Sequence, residues 1–60
     1  MSYKVEKYDA ETTDMIADYG TMPIEDVKLI TVGYKKTDSI GNCDFYQRKN
    51  GKYIYMVWEV

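Results

Sequence analysis

Histidine is absent from this 60-residue chain, and cysteine and proline occur once each. Without histidine the commonest general base, proton switch and metal ligand is missing. The single thiol, Cys43, excludes an internal disulfide and a cysteine-ligated zinc site. No apolar run approaches the roughly 20 residues that a membrane-spanning helix needs. Glycine stands only at the isolated positions Gly20, Gly33, Gly41 and Gly51, so there is no glycine-rich phosphate loop. Asp9, Glu11, Asp14 and Asp18 do not keep the spacing of a calcium loop and lack its central glycine. No apolar segment of a signal peptide follows Met1, and no Asn-x-Ser/Thr sequon occurs. These absences give the expectation of a cytoplasmic protein with no metal, no cofactor and no membrane contact. They also argue against an enzyme.

What is present is aromatic and β-prone. Seven tyrosines, one tryptophan and one phenylalanine make up 15% of the chain. A chain of 7.1 kDa is one small domain, residues 1–60, in which burial and conformational entropy nearly cancel. With disulfides and zinc excluded, the remaining help comes from close aromatic packing or from a second copy of the chain. A homodimer is therefore expected.

Residues 3–8 alternate and are rich in Tyr and Val, which predicts a first strand. Asp9 offers a capping acceptor, and residues 10–19 predict a short helix ended by Gly20 in the left-handed conformation. Met15, Ile16 and Tyr19 would share one side of that helix, and Glu11, Asp14 and Asp18 another. Pro23 offers a second possible helical start, through Ile24, Glu25 and Asp26. Residues 27–35, with Val27, Ile30, Thr31 and Val32, read as the strongest strand, and residues 37–42 as a loop of turn formers. Residues 43–49 and 52–59 then flank Asn50-Gly51, a strong hairpin signal. The expected fold is α+β: a single small domain in β-α-β-β-β order, with a C-terminal three-stranded antiparallel meander and one short helix packed on one face.

The hairpin turn sets the faces. Pairing across Asn50-Gly51 puts Cys43, Phe45, Ile54, Met56 and Trp58 on one side, the better core face. The other side carries Asp44, Tyr46, Arg48, Tyr53, Tyr55, Val57 and Glu59. One short helix covers only one side of such a sheet, which leaves the second side for self-association or a partner.

Charge is segregated along the chain. Residues 9–26 hold Asp9, Glu11, Asp14, Asp18, Glu25 and Asp26 with no cation, a local charge of −6 inside a net charge of −2. Residues 27–52 hold Lys28, Lys35, Lys36, Arg48, Lys49 and Lys52 against Asp38 and Asp44, a local charge of +4. Such faces commonly serve only solubility; an acidic helix could also dock a basic surface. Tyr46, Arg48, Tyr53 and Tyr55 suit a protein interface, where Tyr and Arg are enriched. The same residues, with Lys49 and Lys52, could stack bases and hold phosphates, but a pI of about 4.9 argues against a nucleic-acid partner.

The functional expectation is a small non-catalytic binding protein. Very small acidic single-domain chains without a motif are a type that phages and mobile elements use to block a host defence protein. That is an analogy from size and composition. Tyr46, Arg48, Tyr53, Tyr55, Glu11, Asp14 and Asp18 are the expected contact residues, in a homodimer that meets a host protein. A small RNA- or single-strand-binding protein using the same hairpin is the alternative.

Overall fold

In the computed structural model, which describes all 60 residues, the C-terminal hairpin has the expected register, but its loop is wider than a two-residue Asn50-Gly51 turn, and Lys49 and Lys52 do not pair. Strands β4 (Cys43–Gln47) and β5 (Tyr53–Glu59) pair antiparallel, with Cys43 opposite Trp58 and Phe45 opposite Met56. Ladder pairing stops at Tyr46 and Tyr55, and the loop closes where the Gly51 amide donates to the Arg48 carbonyl at 2.8 Å. Asn50 takes the left-handed conformation, with φ 60°. Gly51 is required for space, because a Cβ there would lie 2.9 Å from the Arg48 carbonyl oxygen.

Three further strands and one helix complete the domain: β1 (Ser2–Asp9), β2 (Met15–Pro23), α1 (Ile24–Ile30) and β3 (Lys35–Ile40). All five strands lie in one antiparallel sheet of order β2-β1-β5-β4-β3. The α+β class, the C-terminal meander (β3-β4-β5) and the single short helix on one face are as expected. The element order is β-β-α-β-β-β, which corrects three local assignments.

Residues 10–19 are not a helix. Asp9 does cap, but it caps a turn: its carboxylate accepts from the amides of Glu11 and Thr12 at 2.8 and 2.9 Å. Thr13 then takes φ 62°, and the chain doubles back as β2. Gly20 is left-handed, with φ 71°, yet it marks a bulge rather than a helix end. Val5 pairs with Gly20 and Glu6 with Asp18, so Tyr19 is the extra residue. An isolated helix with Thr12-Thr13 inside it does not repay its nucleation cost, whereas β2 gains a full ladder along β1.

The helix lies where the strongest strand was expected. Pro23 ends β2 with φ −73° and starts α1, so the alternative helical start is the one used, and it continues to Ile30. Glu25 and Asp26 suit its first turn and Lys28 its last. Thr31 closes it, donating its hydroxyl to the Val27 carbonyl at 2.8 Å. The third correction concerns residues 37–42: only Gly41-Asn42 turns, with Gly41 at φ 62°, and the preceding residues extend as the edge strand β3. Their polar side chains are tolerated because every residue of β3 is exposed.

The helix decides which face is core. It packs against β1 and β2 and buries Val27 on Val5, Tyr55 and Val57, with Tyr3, Met22, Ile30, Tyr34 and Tyr46 packed around them. The covered face is therefore the Tyr46/Tyr55/Val57 side of the hairpin, the reverse of the expected assignment. Phe45, Ile54, Met56 and Trp58 belong to the side that no element covers.

Val27 is 2% exposed and Leu29 72%. In a strand these two would share a face; in α1 they do not. Val27→Ala is expected to cost about 2 kcal/mol in urea unfolding and Leu29→Ala no more than about 0.5 kcal/mol. Equal losses at the two positions would contradict the helix.

Candidate binding surface

The uncovered face is built by alternation along four strands. Lys4, Glu6 and Tyr8 of β1 lie beside Trp58, Met56 and Ile54 of β5, and Cys43 and Phe45 of β4 continue the row. Ile40 of β3 extends it beside Cys43, and Met15 of β2 extends it beside Tyr8; both are exposed. A hollow of about 250 Å³ opens on this face, between Tyr8, Phe45, Ile54 and Met56 and the turn residues Asp9 and Thr13. The face thus has an apolar centre and a broken surface, the texture of an interface core.

One polar ladder crosses it. Glu6 is only 6% exposed. Its carboxylate meets the Lys4 ammonium at 3.1 Å and accepts from the Tyr8 hydroxyl at 2.7 Å. Both partners are on its own strand, two residues to either side, where β-alternation brings them to one face. The Lys4 ammonium also lies 5.8 Å from the Trp58 ring centroid. Both Glu6 carboxylate oxygens are thus partnered at low exposure.

The sheet edges are less available. Edge strand β2 carries two irregularities, at Tyr19 and Ile16, and ends in Pro23. Edge strand β3 carries Lys35, Lys36 and a bulge at Thr37. Bulges, proline and lysine all oppose the addition of another strand. Docking through the face is favoured over docking through an edge.

The structure divides the expected contact residues. Tyr55 is 7% exposed and belongs to the core, and Tyr46 packs against it. Tyr34 meets Tyr55 edge-on, with ring centroids 4.9 Å apart, and the Tyr19 ring centroid lies 6.3 Å from that of Tyr55. Tyr53 is half-buried, with the Lys7 ammonium 4.1 Å above its ring, and Arg48 is exposed above Tyr34. Glu11, Asp14 and Asp18 are exposed but share no helix face: Glu11 lies in the β1–β2 turn, Asp14 just before β2 and Asp18 within β2. The Asp18 carboxylate is engaged by the Gly20 amide at 2.9 Å. Leu29 and Val32, expected as apolar groups of a two-sided strand and not among the expected contact residues, are both strongly exposed on and just after α1. Their signal was the helix start at Pro23, which turns Leu29 away from Val27.

Cys43 is buried, and burial together with the Asp44 carboxylate pushes its thiol above the ordinary range. That favours a packed thiol over a nucleophile. No group of three or more His, Cys, Asp or Glu side chains is placed to hold a metal ion, and no helix is long and apolar enough to cross a membrane. No protein-family model matches the chain, and no curated protein or solved structure matches it either.

Three groups titrate upward in the folded state. Cys43 and Tyr55 do so chiefly through burial, and Tyr8 chiefly through its hydrogen bond to Glu6. Each favours its neutral form when folded, so its stability contribution is whole below the unfolded pKa and is lost as pH rises through the folded one. The melting temperature is expected to be level near neutrality and to fall from about pH 9 upward, where unfolded Cys and Tyr begin to ionise. A melting temperature that rises between about pH 9 and 10.5 would contradict these shifts.

Proposed function

We propose that this is a non-catalytic binding protein that pairs with a second copy of itself through the uncovered sheet face. The observation that carries the proposal is the apolar row Phe45, Ile54, Met56 and Trp58 on the side opposite α1. The dimer would be two five-stranded sheets back to back, with both helices outward. The longest molecular extents, 30 and 21 Å, bound a face of about 600 Å² in plan. A standard stable interface takes about 800 Å² of accessible surface per partner, so the interface must use most of the face. Charges of both signs, Lys4, Lys35, Asp18 and Asp38, lie around the apolar centre, so a second copy meets no field of one sign.

The outward surface of such a dimer would carry Leu29 and Val32 twice, together with Arg48, Glu11 and Asp14. These are the groups through which the protein would dock a host protein and block it, in the cytoplasm, in the manner of small phage or mobile-element inhibitors of defence systems. Size, acidity and the exposed apolar pair support that reading.

Light scattering over a concentration series tests the pairing. A mass near twice 7.1 kDa is expected for the native chain. Met56→Lys, checked for native circular dichroism, is expected to run as a monomer, while Leu29→Lys stays dimeric. A monomer at every concentration, or a dimer unaffected by Met56→Lys, would overturn the proposal.

A further inference from the structure

A second feature lies at one end of the sheet, where Lys35 and Gln47 stand at the margin of the uncovered face: a groove of about 420 Å³. It is lined by Gly33, Lys35, Thr37, Gln47, Arg48 and Lys49, from the α1–β3 connection, β3, the end of β4 and the loop after it. Three of these six are cations, and none is a carboxylate or an apolar side chain. The protein has ten carboxylates and eight Lys or Arg, yet its one salt bridge is Lys4–Glu6. Lys35, Arg48 and Lys49 are thus unpaired cations in a chain of net charge −2. Three cations facing one space repel one another, and an anion between them relieves that repulsion.

The groove is also partly preorganised. Arg48 sits 5.4 Å from the Tyr34 ring centroid, and Tyr34 is fixed edge-on against buried Tyr55. The guanidinium is thereby tied to the core through two rings, which limits the rotamer freedom lost on binding. Thr37 is the extra residue of the β3 bulge and lines the groove. Gln47 adds an amide. At Gly33 a Cβ would meet nothing within 4 Å, so the space above its backbone is open. The acidic β1–β2 turn lies at the same end, beside the far side of the loop that carries Arg48 and Lys49: the Ala10 amide donates to the Lys52 carbonyl at 2.8 Å, but neither Asp9 nor Glu11 lines the groove.

The geometry points to a binding site for the phosphate groups of a nucleotide. Arginine offers a paired donor fork that fits a phosphate, and the lysines supply point charges. A lining with no apolar side chain and no stacking ring recognises the phosphates and not the base. The volume takes more than one phosphate group. A free nucleotide and the backbone of a single strand present the same oxyanions, so both are probed.

The test is amide chemical-shift mapping of the full chain at low salt. ATP and an eight-residue oligothymidine are the phosphate probes, and poly-glutamate is the carboxylate control. Shifts are expected at Gly33, Lys35, Thr37, Gln47, Arg48 and Lys49 with a phosphate probe, and much smaller ones with poly-glutamate. The stronger of the two phosphate probes identifies the source. Lys35→Ala with Lys49→Ala, both at exposed positions, is expected to keep the fold and weaken binding about tenfold, with a shallower salt dependence. No shifts at these amides, an equal response to poly-glutamate, or unchanged binding in the double variant would each overturn the inference.

Discussion

A seven-residue helix spans about 10 Å, while the sheet beneath it belongs to a molecule 30 Å long. One such helix gives one side of the sheet a core and leaves the other without a covering element, its apolar row only half-buried, and most of the remaining structure follows from that. Val27 closes on Val5, Tyr55 and Val57, and the aromatic rings of Tyr34 and Tyr46 fill the margin that the helix is too short to reach. On the bare side, Phe45, Ile54, Met56 and Trp58 are shielded only by their neighbours in the sheet. A domain of this size gains little net stability from one-sided burial, so covering the second side is the largest gain still available to it.

The sequence was most legible where structure is local. Asn50-Gly51 located the hairpin, and Cys43 faces Trp58 as expected, although the loop closes between Arg48 and Gly51 and is wider than two residues. Asp9 and Gly20 were also read correctly as backbone conformations, an Asp that accepts from nearby amides and a left-handed glycine. Those conformations begin and end helices, but they equally make turns and bulges. Their element was chosen by pairing along β1, which no window over residues 10–19 contains. Residues 27–35 misled for the opposite reason: their β-branched composition outweighed the helical start at Pro23. Tertiary burial of Val27 and the first-turn carboxylates Glu25 and Asp26 settled the contest.

The faces of the hairpin were derived correctly as two sets, but their roles depended on where the helix lands. Displacing the helix from residues 10–19 to Ile24–Ile30 put it over the tyrosine side. Tyr46 and Tyr55, expected contacts, became packing residues, while the apolar set became the surface. The tyrosines keep their cations nonetheless: Lys7 lies over Tyr53 and Arg48 over Tyr34. Arg48, exposed over Tyr34, also lines the groove with Lys35 and Lys49.

Trp58 is the only tryptophan and lies on the bare face, so its fluorescence reports directly on whether that face is covered. Emission and acrylamide quenching should be followed as the protein is diluted. With a covered face, concentrated protein emits toward the blue and resists quenching, and dilution moves both toward exposed values. Emission and quenching that do not change across the whole concentration range, with the mass of a single chain, would contradict the account.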